Sequence, residues 1–399
     1  MNRQESFLQH QGQTNQSPYL IDIDRAEGIY IYDKNGKAYM DMIAGVAVNN
    51  IGHCHPNVSN AMKTQIDKHL HVMVYGEFIQ DAPLAFSERL TALLPENLNC
   101  VYTVNSGTEA NEAALKLAKR VTGRTELVSF RGSYHGSTHG SMSVSGNEVK
   151  KQAFRPLLPD VRFLQFNSVE DLKNITAKTA GVIVETVQGD AGVRVPTLEF
   201  LLALRKRCTE VGALLIFDEI QCGMGRTGKL FAFEHFKIVP DVLTLGKALG
   251  GGMPIGTLVS SYENLYEFTY NPMLGHITTF GGHPVICAAA NACLEVFEKE
   301  IDFESVERNG KLLEEIVKKD PEIKEIRRIG QMFAFDMESF ERVEKVVKRC
   351  LELGLISFWF LSHPYSFRLS PPLTITEEEI RKAGAIILQA IKETRESIL

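Results

Sequence analysis

The sequence predicts an α/β fold in which helices cover both faces of a layered sheet. Short β-rich runs alternate with helical patterns between about residues 100 and 260, which is typical of such a sheet. After about residue 290, longer helices are separated by short strands. The chain has 399 residues, 44% of them hydrophobic, which is enough for two domains and a large core. We therefore predict a large sheet domain followed by a smaller α+β domain.

Six strands and two helices are predicted in the first of these regions. The helices cover Glu109–Arg120 and Leu198–Val211, and the second lies between two strands. The strands are short apolar runs of the length expected for a buried sheet. They are Cys100–Val104, Glu126–Phe130, Val161–Phe166, Gly181–Glu185, Ala213–Phe217 and Asp241–Leu245.

The C-terminal region is predicted to alternate helices with strands. Helices are expected over residues 303–318, 340–353 and 376–395, and strands over Gln331–Asp336 and Leu355–Phe360. Apolar residues recur on one face of the last helix, which is the spacing of a helix that packs on a core.

These patterns divide the chain into three parts. Residues 1–50 form an N-terminal segment, whose strands at Ile21–Asp24 and Gly28–Tyr32 are expected to pack with the small domain. Residues 51–288 form the predicted large domain, and residues 289–399 form the predicted small domain.

The composition narrows the classes of partner and the compartment. Lys and Arg number 43 against 49 Asp and Glu, so a net charge of −6 predicts neither a nucleic acid nor an anionic membrane as partner. Residues 1–20 are polar and do not resemble a signal peptide, and no apolar run approaches the ~18 residues of a membrane span. The seven cysteines include no C-x-x-C pair, so neither a disulfide framework nor a zinc site is expected. A cytoplasmic protein is the expectation.

The segment Asn105–Ala110 follows a predicted strand and begins a predicted helix. Backbone N–H groups at a helix start, beside the hydroxyls of Ser106 and Thr108 and the small Gly107, can bind a phosphate. The alternative is an ordinary Ser/Thr cap with a glutamate in the first turn, and this segment alone favours the cap.

Two other segments place charged side chains at the ends of buried strands. Asp218 and Glu219 end one apolar strand, at the edge where ligands bind in open α/β sheets. Lys247 follows another strand and precedes the glycines 250–252, a poor position for a solvated lysine. Burial lowers the pKa of a lysine and makes its amine a nucleophile that can condense with an aldehyde. The alternative is a lysine whose amine reaches solvent.

Together these features meet the requirements of pyridoxal 5'-phosphate (PLP). Its phosphate requires a helix N-terminus and its aldehyde requires a lysine. Its pyridine nitrogen requires a carboxylate, which keeps the ring protonated. PLP is therefore the cofactor that the sequence predicts.

Two other motifs suggest different ligands but are incomplete. Gly52–Pro56 contains an H-x-H pair without further ligands, so a tight turn is preferred and no metal is expected. Gly223–Lys229 satisfies G-x-G-x-x-G and nearly satisfies a phosphate loop. Leu230, however, replaces the Ser or Thr that magnesium requires, and no clear helix follows. A nucleotide-binding protein is thus the alternative from another class of function.

The chain resembles the class III, ornithine- and acetylornithine-type aminotransferases of the fold-type I PLP enzymes. The resemblance extends from about Gly28 to Leu373. Its most specific parts are Asp218-Glu-Ile-Gln221, Gly225-Arg-Thr-Gly228 and Leu245-Gly-Lys-Ala-Leu-Gly-Gly-Gly252. It implies a large, mostly parallel sheet of seven strands, a smaller α+β domain, and a homodimer with shared active sites.

By this resemblance Lys247 would bind the cofactor covalently. Once freed by substrate, it would move a proton between the substrate carbon and the cofactor. Asp218 would pair with the pyridine nitrogen, and Gln221 would lie near the ring hydroxyl. Ile220 and Tyr134 would cover the two faces of the ring.

The resemblance assigns the other cofactor contacts to a set of polar residues and one glycine. These are Ser106, Gly107, Thr108, His135, Glu185 and Thr279. Residues 106–108 would hold the phosphate, and Glu185 would lie beneath the cofactor. Thr279 would reach the phosphate bound to the neighbouring subunit.

Arg368 matches the arginine that binds a carboxylate of glutamate or 2-oxoglutarate, for which a planar guanidinium is suited. In relatives a glutamate can pair with this arginine. Asp190 occupies its position here and is one methylene shorter, which leaves open whether it reaches Arg368.

Two substrate positions depart from the ornithine-specific pattern. Those members have a tyrosine where this chain has Val46 and an arginine where it has Ser137. Both departures argue against a strict ornithine enzyme. Arg155 and Arg194 are the candidate replacements for the missing arginine.

The expected function is an aminotransferase with a ping-pong cycle and small-molecule substrates. The expected donor is an ω-amino acid of the ornithine, acetylornithine or 4-aminobutyrate kind, and the expected 2-oxo acid acceptor is 2-oxoglutarate. A transaminase that uses pyruvate or glyoxylate is an alternative, because Ser137 resembles that branch. A PLP aminomutase is another, although enzymes of that kind tend to lack the glutamine expected at Gln221.

Overall fold

The computed structural model of the protein describes residues 2–395 and has three β-sheets in that range. The strands, numbered in chain order, are β1 (Ile23–Glu27), β2 (Tyr30–Asp33), β3 (Ala38–Asp41), β4 (Cys100–Val104), β5 (Glu126–Phe130), β6 (Val161–Leu164), β7 (Thr179–Glu185), β8 (Leu214–Asp218), β9 (Val242–Gly246), β10 (Gly256–Ser260), β11 (Glu325–Ile329), β12 (Met332–Asp336), β13 (Leu355–Ile356), β14 (Phe358–Trp359) and β15 (Ser366–Leu369). The helical segments are Arg3–His10, Ala44–Ala47, Pro56–Lys68, Asp81–Ala92, Gly107–Thr122, His139–Ser143, Leu198–Val211, Tyr262–Tyr266, Pro284–Lys299, Phe303–Val317, Phe340–Glu352 and Glu377–Glu393.

The central sheet has seven strands in the order β4-β10-β9-β8-β7-β5-β6. The strands from β9 to β6 are parallel, whereas β10 is antiparallel to both β9 and β4. Two hydrophobic clusters cover its two faces. Phe217 of β8 belongs to the cluster that includes helix Leu198–Val211, and the adjacent Ile216 belongs to the cluster that includes helix Gly107–Thr122. The predicted α/β class is thus confirmed.

Most of the predicted elements of this sheet lie within a residue or two of their observed ends, and β4, β5 and helix Leu198–Val211 match completely. Strand β10 was not predicted, because Gly256–Ser260 is a short run directly after a glycine-rich segment. The single strand predicted at Leu355–Phe360 is wrong. It is two strands, β13 and β14, which pair with β3 and β15 in different sheets.

The C-terminal part builds a smaller sheet, β11-β12-β15-β14, against three helices. The N-terminal strands form the third sheet, β1-β2-β3-β13, whose last strand comes from the C-terminal part. Side chains of the two sheets share one hydrophobic core, in which Met40 and Ile29 lie with Phe335 and Ile387.

Helix Pro284–Lys299 lies where the sequence placed the boundary at residue 288. Its buried face, from Cys287 to Phe297, belongs to the core of the central sheet. The core of the large part therefore extends beyond that boundary.

Most of the loop Gly223–Lys229 is packed inside the protein, between the large and small parts, and only its last residue is exposed. Arg226 is fully buried, and its guanidinium donates to the carbonyls of Gln331 at 3.1 Å and Pro371 at 2.6 Å, and to the side-chain oxygen of Asn50. A Cβ added at Gly225 would approach Leu373 to 2.6 Å, so there is no space for a phosphate group at this glycine. The packing therefore disfavours the nucleotide-binding alternative.

Two features of the chain concern its environment. Among residues 2–395, none of the helices combines the length and the apolar composition needed to cross a membrane. The seven cysteines all lie in this range as free thiols.

Candidate active site

Three neighbouring parallel strands end in the residues on which the sequence analysis depends. β7 ends at Glu185 and β8 at Asp218, and these two residues are aligned in the sheet. Lys247 directly follows β9. Because the carboxyl ends of parallel strands meet at one edge, the sheet brings all three side chains to the same place.

Asp218 is buried, and its carboxylate is held from three directions. Oδ2 accepts from Asn111 Nδ2 at 2.8 Å and lies 2.7 Å from His135 Nδ1, while Oδ1 accepts from the backbone N–H of Ile220 at 3.0 Å. A carboxylate can only accept, so His135 has its proton on Nδ1. An ionised carboxylate offers about four acceptor positions, so one remains for a further N–H donor.

Asn111 and Thr244 complete this network, and neither was predicted from the sequence. Asn111 Nδ2 also donates to the carbonyl of His135 at 2.7 Å, and its Oδ1 accepts from Thr244 Oγ1 at 2.8 Å. Both residues are fully buried. Asn111 lies on the apolar face of the alanine-rich helix Gly107–Thr122. Because buried polar side chains need hydrogen-bond partners, this position could have indicated a polar site.

Glu185 is buried beside this network, and its two oxygens bind backbone groups. Oε1 accepts from the N–H of Tyr134 at 2.8 Å, and Oε2 accepts from the N–H of Gly189 at 2.9 Å. Burial raises the pKa of Glu185 to about 7; the charge of His135 opposes the increase and that of Asp218 adds to it. Glu185 thus fixes the backbone at Tyr134, next to the predicted cofactor.

Lys247 lies at the same edge of the sheet, and its amine has no hydrogen-bond or ionic partner within the described part of the chain. Burial, followed by the positive charge of Arg368, lowers its pKa to about 8. Its φ of 45° is in the left-handed region, which costs energy for a residue with a Cβ. Lys247 thus has an unpaired amine that is partly neutral at pH 7, on a strained backbone. It lies where the sequence predicts the nucleophile.

Helix Gly107–Thr122 begins at the same edge of the sheet. Ser106 is its N-cap, and the N–H groups of Gly107 and Thr108 have no partner among residues 2–395. A Cβ at Gly107 would lie 2.8 Å from Ile220, so only glycine allows the approach of these two segments. The helix start therefore offers free N–H donors for an anion, in addition to its cap.

The predicted ring-covering residues are Tyr134 and Ile220, and Gln221 follows the second of them in the chain. Tyr134 is 40% exposed, and its hydroxyl lies 3.1 Å from Ser137 Oγ. Ile220 packs against Gly107. Gln221 lies against Gly189, because a Cβ added at that glycine would lie 2.0 Å from Gln221 Oε1. Thr279 lies on an exposed segment away from these contacts, so its cross-subunit role stays a prediction.

Arg368 is on β15 and faces the site from the small part of the molecule. Its guanidinium lies 5.3 Å from the ring centroid of Phe360, and Nη2 is buried without a hydrogen-bond partner. Burial lowers its pKa and the charge of Asp190 opposes this effect. A buried guanidinium nitrogen without an acceptor is ready to receive a substrate carboxylate.

Asp190 is bound by groups other than Arg368. Its Oδ2 lies 2.5 Å from Lys150 Nζ and accepts from the hydroxyl of Ser362, and its Oδ1 accepts from the N–H of Leu361 at 3.3 Å. No ion pair within 4.0 Å joins Asp190 to Arg368 in the described residues. The open question of the sequence analysis thus has an answer in this conformation: Asp190 pairs with Lys150.

Val46, expected near the substrate, lies in a strained turn. All four residues of Ala44–Ala47 have a positive φ, between 47° and 68°. Asp41 fixes the turn by accepting from the N–H groups of Ile43 and Gly45, each at 3.1 Å. Val46 itself is 42% exposed, so the strain presents an apolar side chain at the surface.

Neither candidate arginine lies in the cavity beside Tyr134 and Ser137. Arg155 pairs with Glu148, and Arg194 lines a different cavity and donates to a backbone carbonyl at 3.2 Å. The residue that lines the cavity and has a positive charge next to Tyr134 is Lys150.

Comparison of the sequence and the fold with known proteins identifies the family of this chain. Residues 11–391 match the family model described as aminotransferase class-III. The chain belongs to the class III aminotransferases. Among curated relatives, acetylornithine aminotransferase of Bacillus subtilis (strain 168) is 39% identical over 93% of this chain and 95% of its own length. That of Methanocaldococcus jannaschii is 40% identical over 89% of both chains.

A solved structure also matches this class III aminotransferase. The ornithine aminotransferase of Toxoplasma gondii superposes with a TM-score of 0.90 and 30% identity, over 98% of this chain and 94% of that one. Its description records partial occupancy of PLP at the active site. The fold is therefore that of the fold-type I PLP enzymes, as the resemblance implied.

PLP is the cofactor of this aminotransferase, and the side chains fit it. The free N–H groups at Gly107 and Thr108 suit its phosphate, the remaining acceptor position of Asp218 suits its pyridine N–H, and the unpaired amine of Lys247 suits its aldehyde. When bound, PLP supplies an electron sink for the bonds broken at the amino carbon. His135 and Asn111 orient Asp218, and the Lys247 amine can accept and return a proton at its Nζ.

Proposed function

We propose that the protein transfers the ω-amino group of an ω-amino acid, of the ornithine, acetylornithine or 4-aminobutyrate kind, to 2-oxoglutarate. The two half-reactions use one site in turn, in a ping-pong cycle. The names of the curated relatives, which are acetylornithine aminotransferases, support the donor class. The departures at Val46 and Ser137 support a donor other than ornithine itself.

The observation behind the acceptor is the unpartnered, buried Nη2 of Arg368. Leaving a charged donor without an acceptor in a buried position is costly, and a bound carboxylate removes that cost. Burial, followed by the charge of Arg368, also lowers the pKa of Lys247. A carboxylate on Arg368 would therefore hold an amino or oxo acid near the reactive amine.

The test is a half-reaction in which glutamate is added to the yellow PLP-loaded protein without an acceptor. Loss of the yellow colour would support 2-oxoglutarate as the paired oxo acid. Arg368→Gln should raise the glutamate concentration for half-maximal bleaching by about 100-fold, since a charge-assisted bidentate contact is lost. Arg207→Gln, a change in an arginine on helix Leu198–Val211, is the control and should have no effect. If Arg368→Gln bleached like wild type, the acceptor assignment would be wrong.

The second candidate is a transaminase that uses pyruvate or glyoxylate, which the neutral Ser137 favours. It predicts that alanine bleaches the wild-type protein faster than glutamate does. The aminomutase alternative predicts isomerisation of one amino acid without any oxo acid. Gln221 at the cofactor edge disfavours that alternative.

We further propose a homodimer in which Thr279 completes the neighbouring site, in a cytoplasmic protein. Large apolar side chains are exposed near both Thr279 and residues 70–84, as a subunit interface requires: Leu70, Met73, Phe78, Ile79, Leu84, Met273, Leu274, Ile277 and Phe280.

Sedimentation of the wild-type protein tests the dimer, and mixed dimers test the role of Thr279. Thr279→Ala should weaken PLP binding. In a dimer with a Lys247→Ala partner, the Thr279→Ala subunit receives an intact threonine, so its PLP affinity should return to the wild-type value. A monomer, or no recovery in mixed dimers, would exclude shared sites.

A further inference from the structure

A cavity of about 430 Å³ is lined by Tyr134 and Ser137. Two lysines line it. Lys151 is committed to the protein, because its Nζ is buried, donates to the carbonyl of Ser145 at 2.8 Å and lies over the ring of Phe163. Lys150 is the lysine that remains available to a ligand.

Lys150 lies between the ring of Tyr134 and the carboxylate of Asp190. Its Nζ lies 5.1 Å from the ring centroid of Tyr134, and its side chain is 28% exposed. Ser137 contacts the hydroxyl of the same tyrosine at 3.1 Å and is neutral. The charge beside the ring of Tyr134 is therefore that of Lys150.

Asp190 lies in the field of two cations. Burial would raise its pKa, but the charges of Lys150 and Arg368 and the bonds from Lys150 and Ser362 bring it below its ordinary value. It is thus ionised, and it pairs with Lys150 while Arg368 stays open. Arg368, Lys150 and Asp190 together carry a net charge of +1, and each of the two cations can bind a carboxylate once Asp190 is displaced from Lys150.

We propose that Lys150 is the second carboxylate-binding residue of the substrate site and that Asp190 is its counter-ion when no second carboxylate is bound. The inference rests on the proposed function, since it is a dicarboxylate that needs both Arg368 and Lys150. One carboxylate of glutamate or 2-oxoglutarate binds Arg368, and the other displaces Asp190 from Lys150. Lys150 thereby favours dicarboxylates over amino acids with one carboxylate.

Binding of unreactive acids to the PLP-loaded protein tests the proposal, with calorimetry as the readout. Glutarate has two carboxylates, butyrate has one, and neither has an amino or oxo group to react. Lys150→Ala should weaken glutarate binding by about 10- to 100-fold, because one charge-assisted contact is lost. Butyrate binding should change less than about twofold. Lys150→Arg should keep most of the glutarate affinity, and Lys173→Ala, at an exposed lysine paired with Glu170, should keep all of it.

The Asp190→Asn background separates a direct contact from an indirect one. If Lys150 binds the ligand, Asp190→Asn should tighten glutarate binding, and adding Lys150→Ala should still weaken it. If Lys150 only neutralises Asp190, Lys150→Ala should have no effect once the aspartate is gone, and the proposal is overturned. Lys150→Gln replaces Lys150→Ala in both backgrounds if circular dichroism shows that the alanine variant is unfolded.

Failure of this inference differs from failure of the proposed function. A wild-type protein that neither bleaches with glutamate nor binds glutarate overturns both. A wild-type protein that does both, with a Lys150→Ala variant that binds glutarate equally well, overturns the role of Lys150 alone.

Discussion

The two halves of the active site differ in how their charged groups are held. On the cofactor side, Asp218 and Glu185 end buried strands, and each carboxylate is fixed by at least two N–H donors. On the substrate side, Arg368 has an unpartnered nitrogen, and Asp190 is bound by side chains and backbone from distant loops. We therefore propose that the chemistry depends on the fixed groups, and that the choice of substrate depends on groups that can exchange partners.

This difference predicts which changes act on all substrates and which act on some. A change on the cofactor side should lower turnover by the same factor with any donor. A change on the substrate side should alter the ratio between substrates while the chemistry is retained.

The largest effect is expected from Lys247→Ala. Loss of the nucleophile and proton carrier should lower turnover by about 10³-fold or more with every donor, because covalent and acid–base catalysis are lost together. Turnover with glutamate and with alanine should be measured beside Lys229→Ala, which changes an exposed lysine and should behave as wild type. A loss restricted to one substrate would contradict the division between the two halves.

A pair of aspartate variants sharpens the comparison. Asp218→Asn keeps the size of the side chain but removes the charge that we propose pairs with the pyridine nitrogen, and should lower turnover by about 100-fold with all donors. Asp190→Asn should leave the fastest turnover within about threefold and change the preference between glutamate and alanine. Full kinetics with both donors would measure both results. Equal losses for both donors in Asp190→Asn would place that residue on the cofactor side.

The pH dependence of cofactor capture tests the state of Lys247. The neutral amine reacts with the aldehyde, and a pKa lowered from 10.5 to about 8 makes this form available at lower pH. The rate of PLP capture by the apoprotein should rise about 50-fold from pH 6 to pH 8 and then level off. The appearance of the yellow colour in rapid mixing measures this rate. N-acetyl-lysine methylamide is the reference, and a protein rate that kept rising to pH 10, as the reference does, would show an ordinary lysine.

The smallest effect concerns the stability of the network around Asp218. Thr244→Val removes the donor to Asn111 and leaves a buried amide oxygen unsatisfied, which should lower the free energy of unfolding by about 1–3 kcal/mol. Thr257 is equally buried on the adjacent strand, and its hydroxyl has no partner. Thr257→Val should therefore be neutral or stabilising. Urea unfolding of both variants measures the difference. Equal destabilisation would show that the hydrogen bond from Thr244 to Asn111 does not stabilise the fold.

The sequence predicted the cofactor side better than the substrate side, for a physical reason. Asp218 and Lys247 are marked by local patterns, since each directly follows an apolar strand. The partners of Asp218 lie far along the chain, and Asn111 is separated from it by 107 residues. No local pattern records such a contact, so Asn111 and Thr244 were missed.

The substrate side shows the same limit more strongly. Arg368 and Asp190 were found through resemblance, but the partner of Asp190 was not, because Lys150 lies in an irregular loop without periodicity. Local patterns also failed to predict β10 and the division of residues 355–360 between two sheets. Short strands are defined by their neighbours, and those neighbours come from the tertiary fold.

The buried guanidinium of Arg226 has a consequence for the order in which the chain is completed during synthesis. Asn50 precedes it, but the carbonyls of Gln331 and Pro371 follow it by 105 and 145 residues. A nascent chain that has finished all seven strands of the central sheet thus still lacks two of the three acceptors of a buried cation, which is a costly state. We therefore expect Arg226 to become buried only after Pro371 has been synthesised, so the large half should complete its packing late in synthesis.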